Sequence, residues 1–353
     1  MRHERTHKLK QGRYALMIHV GVDLHQRFCY CTAMKASGEV VAQRSVANEA
    51  ESLQAFLRTL PAPRQVVVEA CGFWPAFQRA LGKEAERVVM VHPQRVKAIA
   101  HAKLKNDKVD SATLAQLSRC DLLPTAWMAD EATQQARQRV RLRVSLGRQR
   151  TRCKNRLHAV LHQEGVRVPV TDLFGKRGRA WLQTVALSAA AAESVASYLE
   201  VIAVLDRIIG ERQQQLEGTA ATDARVRWLQ TIPGVGGYLA ALIVAELGDV
   251  QRFATAKAVA SYAGLVPVVR ESAGKRRYGH ITRCGSPLLR WAMVQASHGA
   301  TRGSPVVAAW YARLQKRKRP AVARTALARK LLICAWALLR HGVAFEESVF
   351  ATV

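Results

Sequence analysis

Acidic residues are scarce in this sequence. It contains 26 Asp and Glu against 54 Lys and Arg in 353 residues, so its formal net charge is +28 at pH 7. A folded chain with this much self-repulsion normally works beside a polyanion, and nucleic acid is the commonest one. The charge balance therefore predicts a nucleic-acid-binding protein, with an anionic membrane surface as the alternative partner.

Long apolar runs are also missing. No stretch reaches the roughly 18 uninterrupted apolar residues of a membrane span, and the best run, Leu331–Leu339, has Lys330 and Arg340 at its ends. The first residues, Met1–Arg13, are polar and basic and lack the apolar segment of a secretion signal. We therefore expect no membrane partner and a cytoplasmic, nucleoid-associated location.

The cysteines lack the spacing of a metal site. There are seven, and none forms a Cys-x-x-Cys pair, which argues against a zinc site and against a disulfide framework. Cys29 and Cys31 lie two apart in a strand-like run and should point to the same face. We expect the cysteines to be small buried side chains in a reducing compartment.

Residues 14–125 alternate between strand-like and helix-like segments, which predicts an α/β domain. Three strands with short connections come first, and strands then alternate with helices. This order is that of a ribonuclease-H-like fold, although periodicity alone gives only the α/β class. The predicted strands are Tyr14–Leu24, Phe28–Met34, Glu39–Val46, Gln65–Ala70 and Arg87–Val91, and the predicted helices are Glu49–Leu60, Phe73–Leu81, Pro93–Ala100 and Asp107–Arg119.

Residues 126–220 are predicted to form a basic helical region. One long helix, over about 130–165, carries nine Arg or Lys and no acid in twenty consecutive residues. A second, Ala-rich helix over 180–215 should be interrupted around Gly210. Together these helices predict a helical hairpin or a coiled coil.

Residues 225–345 are predicted to form a mostly helical C-terminal domain, which the small polar stretch Gly218–Asp223 separates from the basic region. The segment Leu229–Leu239 has the pattern of a helix–hairpin–helix turn, whose glycines and following helix N-terminus can approach a phosphate. Simple helix capping explains the same pattern. A Gly/Arg-rich interruption, Gly264–Pro287, breaks the helical pattern further on.

Four carboxylates stand where they could meet. Asp23 ends the first strand, Glu69 ends a later one, and Asp107 and Asp110 share one face at the start of a helix. An acid after an apolar strand is costly to desolvate unless something positive compensates it. Such oxygen ligands suit Mg²⁺ or Mn²⁺, and two ions about 4 Å apart can stabilise both the attacking and leaving oxygens of a phosphoryl displacement. The alternative is structural, with Asp107 as a helix N-cap, Asp110 as a first-turn charge and the other two as solvated strand ends.

These segments resemble a known family. GVDLHQ, VVVEACG, KNDKVDSATLAQL and the flanking run Val91–Asp110 are similar to the Asp-Glu-Asp-Asp (DEDD) insertion-sequence transposases of the IS110 group, which resemble RuvC-type nucleases and the pilin-gene invertase. The resemblance implies a RuvC-like domain in residues 14–125, with Asp23, Glu69, Asp107 and Asp110 as catalytic metal ligands.

The same resemblance implies an activity and partners. It implies an enzyme that cuts and rejoins DNA and is guided by a structured RNA encoded by its own element. Donor DNA, target DNA and further copies of the chain, in a dimer or tetramer, are the other partners that we expect.

A serine in the C-terminal domain extends the resemblance. The family carries a Gly-Leu-x-Pro turn, a Ser-Gly-like basic loop and a Gly-x-x-x-x-Arg helix start there, and this sequence has Gly264–Pro267, Ser272–Lys275 and Gly285–Arg290. The resemblance implies that Ser272 is a nucleophile that forms a transient phosphoserine link to DNA. Ser286 is the competing serine, but Ser-Pro at a helix start is typical of an N-cap.

Cations in two places are predicted to hold nucleic acid. A solvated helix face is the alternative for those on the basic helix. Two other functions stay open from the residues alone: a RuvC-like junction nuclease that hydrolyses with water, and a non-catalytic nucleic-acid-binding protein whose acids are only caps. The cations are Arg148, Arg150, Arg152 and Arg156 on the basic helix, and Lys275, Arg276 and Arg277 beside Ser272.

Overall fold

The computed structural model describes residues 16–100, 106–272 and 274–351. The chain divides into unit 1, Met1–Met128, and unit 2, Ala129–Val353. The predicted strand start at Tyr14 and the basic segment Met1–Arg13 lie outside the described residues. Across the described part of the chain, no helix is both long and apolar enough to span a membrane.

A six-stranded sheet forms the centre of unit 1. Its strands are β1 (Ile18–Leu24), β2 (Phe28–Met34), β3 (Val40–Ala47), β4 (Arg64–Glu69), β5 (Arg87–Val91) and β6 (Thr125–Ala126). The order across the sheet is β3-β2-β1-β4-β5-β6. Strands β1, β2 and β3 are antiparallel neighbours, β4 and β5 run parallel to β1, and β6 is antiparallel to β5. Strands β2 to β5 begin and end within one residue of the prediction, which confirms the α/β class.

Helices cover both faces of this sheet. They are α1 (Ala50–Arg58), α2 (Trp74–Leu81), α3 (Pro93–Ile99) and α4 (Asp107–Arg119). On β4, Val66 and Val68 pack in a core with α1 and α2, whereas Val67 packs in a second core with α3 and α4. Because successive side chains of a strand point to opposite faces, β4 is buried on both sides and has a continuous apolar sequence.

Helix α4 packs directly onto β1 at Gly21. A Cβ atom at this position would overlap the backbone carbonyl of Ser111 and the backbone nitrogen of Ala115. Glycine is therefore required for the close approach of the two backbones. This contact brings the helix that begins with Asp107 against the strand that contains Asp23.

Buried hydrogen bonds fix the position of α4 along the sheet. His19 Nδ1 lies 2.7 Å from Ser118 Oγ, and Thr32 Oγ1 lies 2.7 Å from Ser111 Oγ. The side-chain amide of Gln65 also donates to Ser118 Oγ, at 2.9 Å. Two serines one heptad apart thus join one face of α4 to three neighbouring strands.

The described secondary structure of unit 2 is helical apart from one β-hairpin. A large hydrophobic core joins most of its helices, so the predicted basic region and most of the predicted C-terminal domain share one unit; their separation into domains stays a prediction. The hairpin strands are β7 (Pro267–Ser272) and β8 (Lys275–Ile281). The helices are α5 (Glu131–Gln163), α6 (Lys176–Leu182), α7 (Ala189–Ala221), α8 (Ala224–Gln230), α9 (Gly237–Leu247), α10 (Ala256–Tyr262), α11 (Pro287–Gly303), α12 (Pro305–Gln315), α13 (Pro320–His341) and α14 (Ser348–Ala351), with a short 3₁₀ turn at Val250–Arg252.

Helices α5 and α7 pack as an antiparallel pair. Arg143 donates to the Gln213 side chain at 2.8 Å, and seven residues further along α5, Arg150 meets Asp206 at 2.6 Å, seven residues back along α7. The predicted interruption at Gly210 is wrong, because α7 continues through it. The neighbouring Ile209 is buried, so tertiary packing outweighs the low helix propensity of glycine.

The Gly-rich turn between α8 and α9 has a packing role. Gly234 has φ +81°, and a Cβ atom there would overlap the backbone of Gly299 and Ala300 in α11. Gly237, the first residue of α9, faces the Glu217 side chain: a Cβ atom added to Gly237 would lie 3.3 Å from Glu217 Cγ. Two helices flank the turn as predicted, but contact with α11 alone accounts for Gly234.

The cysteines differ in burial more than expected. Cys29 and Cys31 are buried on one face of β2, and Cys334 is buried in α13. The expectation of small buried side chains is confirmed for these three. It is wrong for Cys120 and Cys284, which are exposed.

Candidate active site

The four predicted acidic residues line one pocket of unit 1. Asp23, Glu69, Asp107 and Asp110 all contribute to its wall, although they come from separate parts of the sequence. Lys97 of α3 also lines the pocket. The pocket is therefore rich in carboxylates and has a cation on its wall.

The topology of the sheet brings these acids together. Strands β1 and β4 are parallel neighbours in which Val22 lies opposite Val68. The next residues, Asp23 and Glu69, therefore stand side by side at the same edge of the sheet. The first turn of α4 supplies Asp107 and Asp110 to the same edge.

A histidine that the sequence interpretation missed joins the acids. His25 Nε2 lies 3.2 Å from Asp23 Oδ2 and 3.5 Å from Asp107 Oδ2. Its ring stacks on Phe28 with 4.6 Å between centroids, and its backbone N–H donates to the Phe28 carbonyl at 3.0 Å. The spacing of Asp23 and His25 in GVDLHQ was the available signal, since residues two apart in extended chain point the same way.

The pocket disfavours the charged form of Asp23. Burial raises the pKa of this carboxyl group, and the nearby charges of Asp107 and Asp110 raise it further, while His25 acts in the opposite direction. Desolvation and like charges are both relieved by a bound cation. The electrostatics of the pocket therefore favour a positively charged ligand.

The structural alternative for Asp107 is wrong. The N-cap of α4 is Asn106, whose Oδ1 accepts a hydrogen bond from the Val109 backbone N–H at 2.8 Å. Asp107 is the next residue and directs its carboxylate to His25. Asp110 remains compatible with a favourable first-turn charge.

The donor set fits a divalent cation. One ligand atom from each of Asp23, His25 and Asp107 lies within 4.8 Å of the other two. Carboxylate oxygens are the ligands that hard divalent cations prefer. Glu69 and Asp110 add two further carboxylates on the wall of the same pocket.

The predicted nucleophile lies in unit 2. Ser272 is the last residue of β7, pairs with Lys275 across the hairpin and is exposed. Lys275, Arg276 and Arg277 are exposed on β8. Arg276 is held by Glu271, with 2.9 Å between its Nε and Glu271 Oε2. The serine is therefore accessible and has cations beside it.

Ser286 has a structural role, as its sequence predicts. It is the N-cap of α11, where its Oγ accepts a hydrogen bond from the Leu289 backbone N–H at 3.1 Å. The same hydroxyl donates to Glu246 Oε2 at 2.8 Å. Glu246 is fully buried and is also bound by Arg141, with 2.8 Å between Nε and Oε1. Ser286 thus helps to compensate a buried charge.

The four predicted cations of the basic helix are not equivalent. Arg148, Arg152 and Arg156 are exposed on one side of α5, at intervals of four residues. No carboxylate of the described residues forms an ion pair with these three. Arg150 instead forms the 2.6 Å ion pair with Asp206 of α7. Three of the four are therefore available to phosphate.

The fold and the pocket define a class. An α/β unit with a cluster of carboxylates at one sheet edge, in a chain of net charge +28, is typical of an enzyme that acts on nucleic acid. Residues 20–165 match the model of the DEDD transposases of the IS110 type, and residues 226–312 match the model described as the transposase IS116/IS110/IS902 family. The chain belongs to this group of insertion-sequence transposases, enzymes that cut and join DNA.

Similarity to individual transposases extends over nearly the whole chain. The chain is 27% identical over 344 residues to a "Probable family 20 transposase" of Pseudomonas aeruginosa, an alignment that covers 93% of this chain and 98% of that protein. It is 24% identical over 339 residues to the transposase for insertion sequence element IS1328 of Yersinia enterocolitica, again with 93% and 98% covered. Both units are therefore common to this chain and its relatives.

Proposed function

We propose that this transposase cuts and rejoins DNA with a ribonuclease-H-like (RuvC-like) domain and a serine nucleophile. The observation that carries the proposal is the convergence of Asp23, Glu69, Asp107 and Asp110 on one pocket. Such a group is costly to assemble unless a cation compensates it. The parallel arrangement of β1, β4 and β5, with β2 and β3 antiparallel beside them, supports the ribonuclease-H-like assignment.

The four carboxylates would hold Mg²⁺ or Mn²⁺. When bound, such ions stabilise the attacking and leaving oxygens of a phosphoryl displacement. His25 contacts both Asp23 and Asp107 and so orients their carboxylates toward the pocket. Lys97 offers a positive charge to a DNA phosphate at the same place.

Ser272 would supply the nucleophile. Its oxygen bonds to phosphorus as the P–O bond of the strand breaks, and the serine proton passes to the strand oxygen that leaves. The reverse exchange rejoins a strand without a new energy source, because the phosphoserine link conserves the phosphodiester bond energy. Lys275, Arg276 and Arg277 offset the phosphate charge.

The partners that we propose are those that the family resemblance implies. Donor and target DNA are the substrates, and a structured guide RNA and further copies of the chain complete the active complex. Arg148, Arg152 and Arg156 would contact nucleic-acid backbone. We assign the RuvC-like domain to residues 14–125, the basic helical region to 126–220 and the serine domain to 225–345, in a cytoplasmic, nucleoid-associated protein.

Substitution of the acids tests the metal site. Replacement of Asp23, Asp107 or Asp110 by Asn, or of Glu69 by Gln, should abolish strand cleavage in Mg²⁺ and leave most DNA affinity intact, because a metal ligand is lost and no phosphate-binding cation is removed. Glu51→Gln, which removes an exposed acid of α1 in the same unit, is the control and should cleave like the parent. Cleavage by all four variants would contradict the acidic site.

Trapping of the covalent adduct tests the serine. Ser272→Ala should bind nucleic acid normally but lose both cleavage and the denaturant-resistant protein–DNA adduct on a suicide substrate. Ser286→Ala should retain the adduct when it is assayed below its unfolding midpoint. An adduct that survives in Ser272→Ala and disappears in Ser286→Ala would move the nucleophile to Ser286. Cleavage by the parent without any adduct would favour a RuvC-like nuclease that uses water.

A further inference from the structure

A second pocket, in unit 2, has a composition that the catalytic proposal does not use. Helix α5 contributes Arg143, Gly147, Arg148 and Thr151, α9 contributes Tyr238, and α11 contributes Trp291. We call it the Trp291 pocket. Cations and aromatic rings meet there, and the described residues that line it include no Asp or Glu.

The floor of the Trp291 pocket is built around a glycine. Arg143, Gly147 and Thr151 follow one another at intervals of four residues and so lie on one face of α5. Glycine in a helix interior costs about 1 kcal/mol relative to alanine. At Gly147 the nearest atom to a Cβ would be Arg143 Nη1, at an ordinary 3.6 Å. Packing therefore does not require glycine here, and its effect is to leave open space above the helix.

Aromatic and cationic groups border this space. Trp291 is 39% exposed, and the Arg143 guanidinium lies over the Tyr238 ring at 4.2 Å from its centroid. Arg148 is exposed and forms no ion pair with a carboxylate of the described residues. Arg150, which also lines the pocket, is bound to Asp206, and Arg143 donates to the Gln213 side chain. Of these three cations, Arg148 is the exposed one.

We infer that the Trp291 pocket holds a single unpaired nucleotide of a nucleic-acid strand, with the base stacked on Trp291 and the phosphate at Arg148. An exposed indole beside a guanidinium is the combination that binds single-stranded nucleic acid, because each base has a face to stack and each nucleotide a phosphate. A base-paired nucleotide is already stacked within its helix and cannot offer that face. The inference rests on the proposed function only in that the chain binds nucleic acid.

Equilibrium binding of full-length protein to fluorescein-labelled strands tests this inference. Fluorescence anisotropy is measured in EDTA, so no cleavage enters the result, with single-stranded RNA, single-stranded DNA and a blunt duplex of one sequence. Trp291→Ala should weaken single-strand binding by about 5- to 150-fold, the range for loss of one base–aromatic stack. Duplex binding should change less than twofold, and Trp291→Phe should retain most single-strand affinity. The strand that shows the larger loss identifies RNA or DNA as the occupant.

Matched variants separate the pocket from general charge. Arg148→Ala and Arg156→Ala each remove one exposed cation from α5, but only Arg148 lines the pocket. In the double variant Arg148→Ala/Trp291→Ala, the loss of single-strand binding free energy should therefore differ from the sum of the two single losses. In Arg156→Ala/Trp291→Ala, the two losses should add. Gly147→Leu should fill the pocket without loss of helix propensity and reproduce the single-strand loss, which covers the case in which Trp291→Ala unfolds.

Two results would overturn the inference. One is single-strand affinity in folded Trp291→Ala and Gly147→Leu equal to that of the parent. The other is an equal loss for single strands and duplex, which would indicate a general surface effect. Absence of any nucleic-acid binding by the parent would instead reject the proposed function as well.

Discussion

The approach of α4 to β1 depends on one residue, Gly21. Gly21→Ala places a methyl group against the Ser111 carbonyl, so the helix must move away from the strand. We expect a loss of about 1–3 kcal/mol in the free energy of unfolding. Cleavage by the folded variant should fall as well, since the movement separates Asp23 from Asp107. Urea unfolding and a cleavage assay under folded conditions measure the two effects.

Gly72 provides the control for this substitution. A Cβ atom there would meet nothing within 4 Å, so Gly72→Ala should preserve both the free energy of unfolding and the cleavage rate. Parental behaviour of Gly21→Ala would show that the backbone contact is not needed for the site.

Adjacent residues at the start of α4 should separate stability from catalysis. Asn106→Ala removes the N-cap and should lower the free energy of unfolding by about 1 kcal/mol. Asp107→Asn leaves the cap in place and should change it by less than about 0.5 kcal/mol, while it abolishes cleavage. Thermal unfolding and strand cleavage, measured on both variants, check this division. If Asp107→Asn loses more stability than Asn106→Ala, then Asp107 has a structural role that the contacts do not explain.

Among the helices, α5 offers a prediction about salt dependence. The slope of log Kobs against log salt is negative, and Arg148→Ala, Arg152→Ala and Arg156→Ala should each reduce its magnitude by about 0.9 for duplex DNA. Arg150→Ala should change the slope less, because Asp206 already neutralises that cation. DNA affinity measured at several salt concentrations gives the slopes. Four equal changes would mean that the ion pair opens when DNA binds.

Elements with a strong local signal could be predicted from the sequence. The runs QVVVEA and FCYCTAM identified β4 and β2 because apolar and β-branched residues dominate them, and Asp107–Arg119 matches α4 at both ends. The meeting of Asp23, Glu69 and Asp107 was predicted from their positions at two strand ends and a helix start, and the resemblance added their role as metal ligands. His25 was missed because nothing local indicates that its ring reaches a helix 82 residues away in sequence.

Elements stabilised by distant contacts could not be predicted. The hairpin β7–β8 was interpreted as a Gly/Arg-rich interruption with a basic serine loop and not as two strands, because its residues are mostly exposed and lack an apolar face. Strand β6 is two residues long and exists through its pairing with β5. The continuation of α7 through Gly210 depends on the tertiary packing of its neighbours, which the low helix propensity of glycine does not indicate.

Each unit contains a buried cysteine, so thiol labelling can follow the unfolding of both units in one experiment. Burial raises the pKa of Cys29 to about 12 and that of Cys334 to about 11, so neither thiol is reactive in the folded protein at pH 8. Pulsed alkylation in native buffer should modify Cys120 and Cys284, which are exposed. With increasing urea, Cys29 should report the unfolding of unit 1 and Cys334 that of unit 2, as mass spectrometry of the peptides shows. Rapid labelling of Cys29 without urea would contradict the burial of this residue in the core of unit 1.

Every described residue of the β7–β8 hairpin between Val269 and His280 is exposed, and two strands alone are marginally stable in water. The backbone amides of this hairpin should therefore exchange with solvent through local opening, at a free energy far below that of the sheet in unit 1. If Ser272 is the nucleophile, the reactive oxygen belongs to a segment that gains a fixed orientation only when another surface covers it. In that case, the reactivity of Ser272 depends on how long the hairpin keeps one conformation, and amide exchange across β7 and β8 measures that time directly.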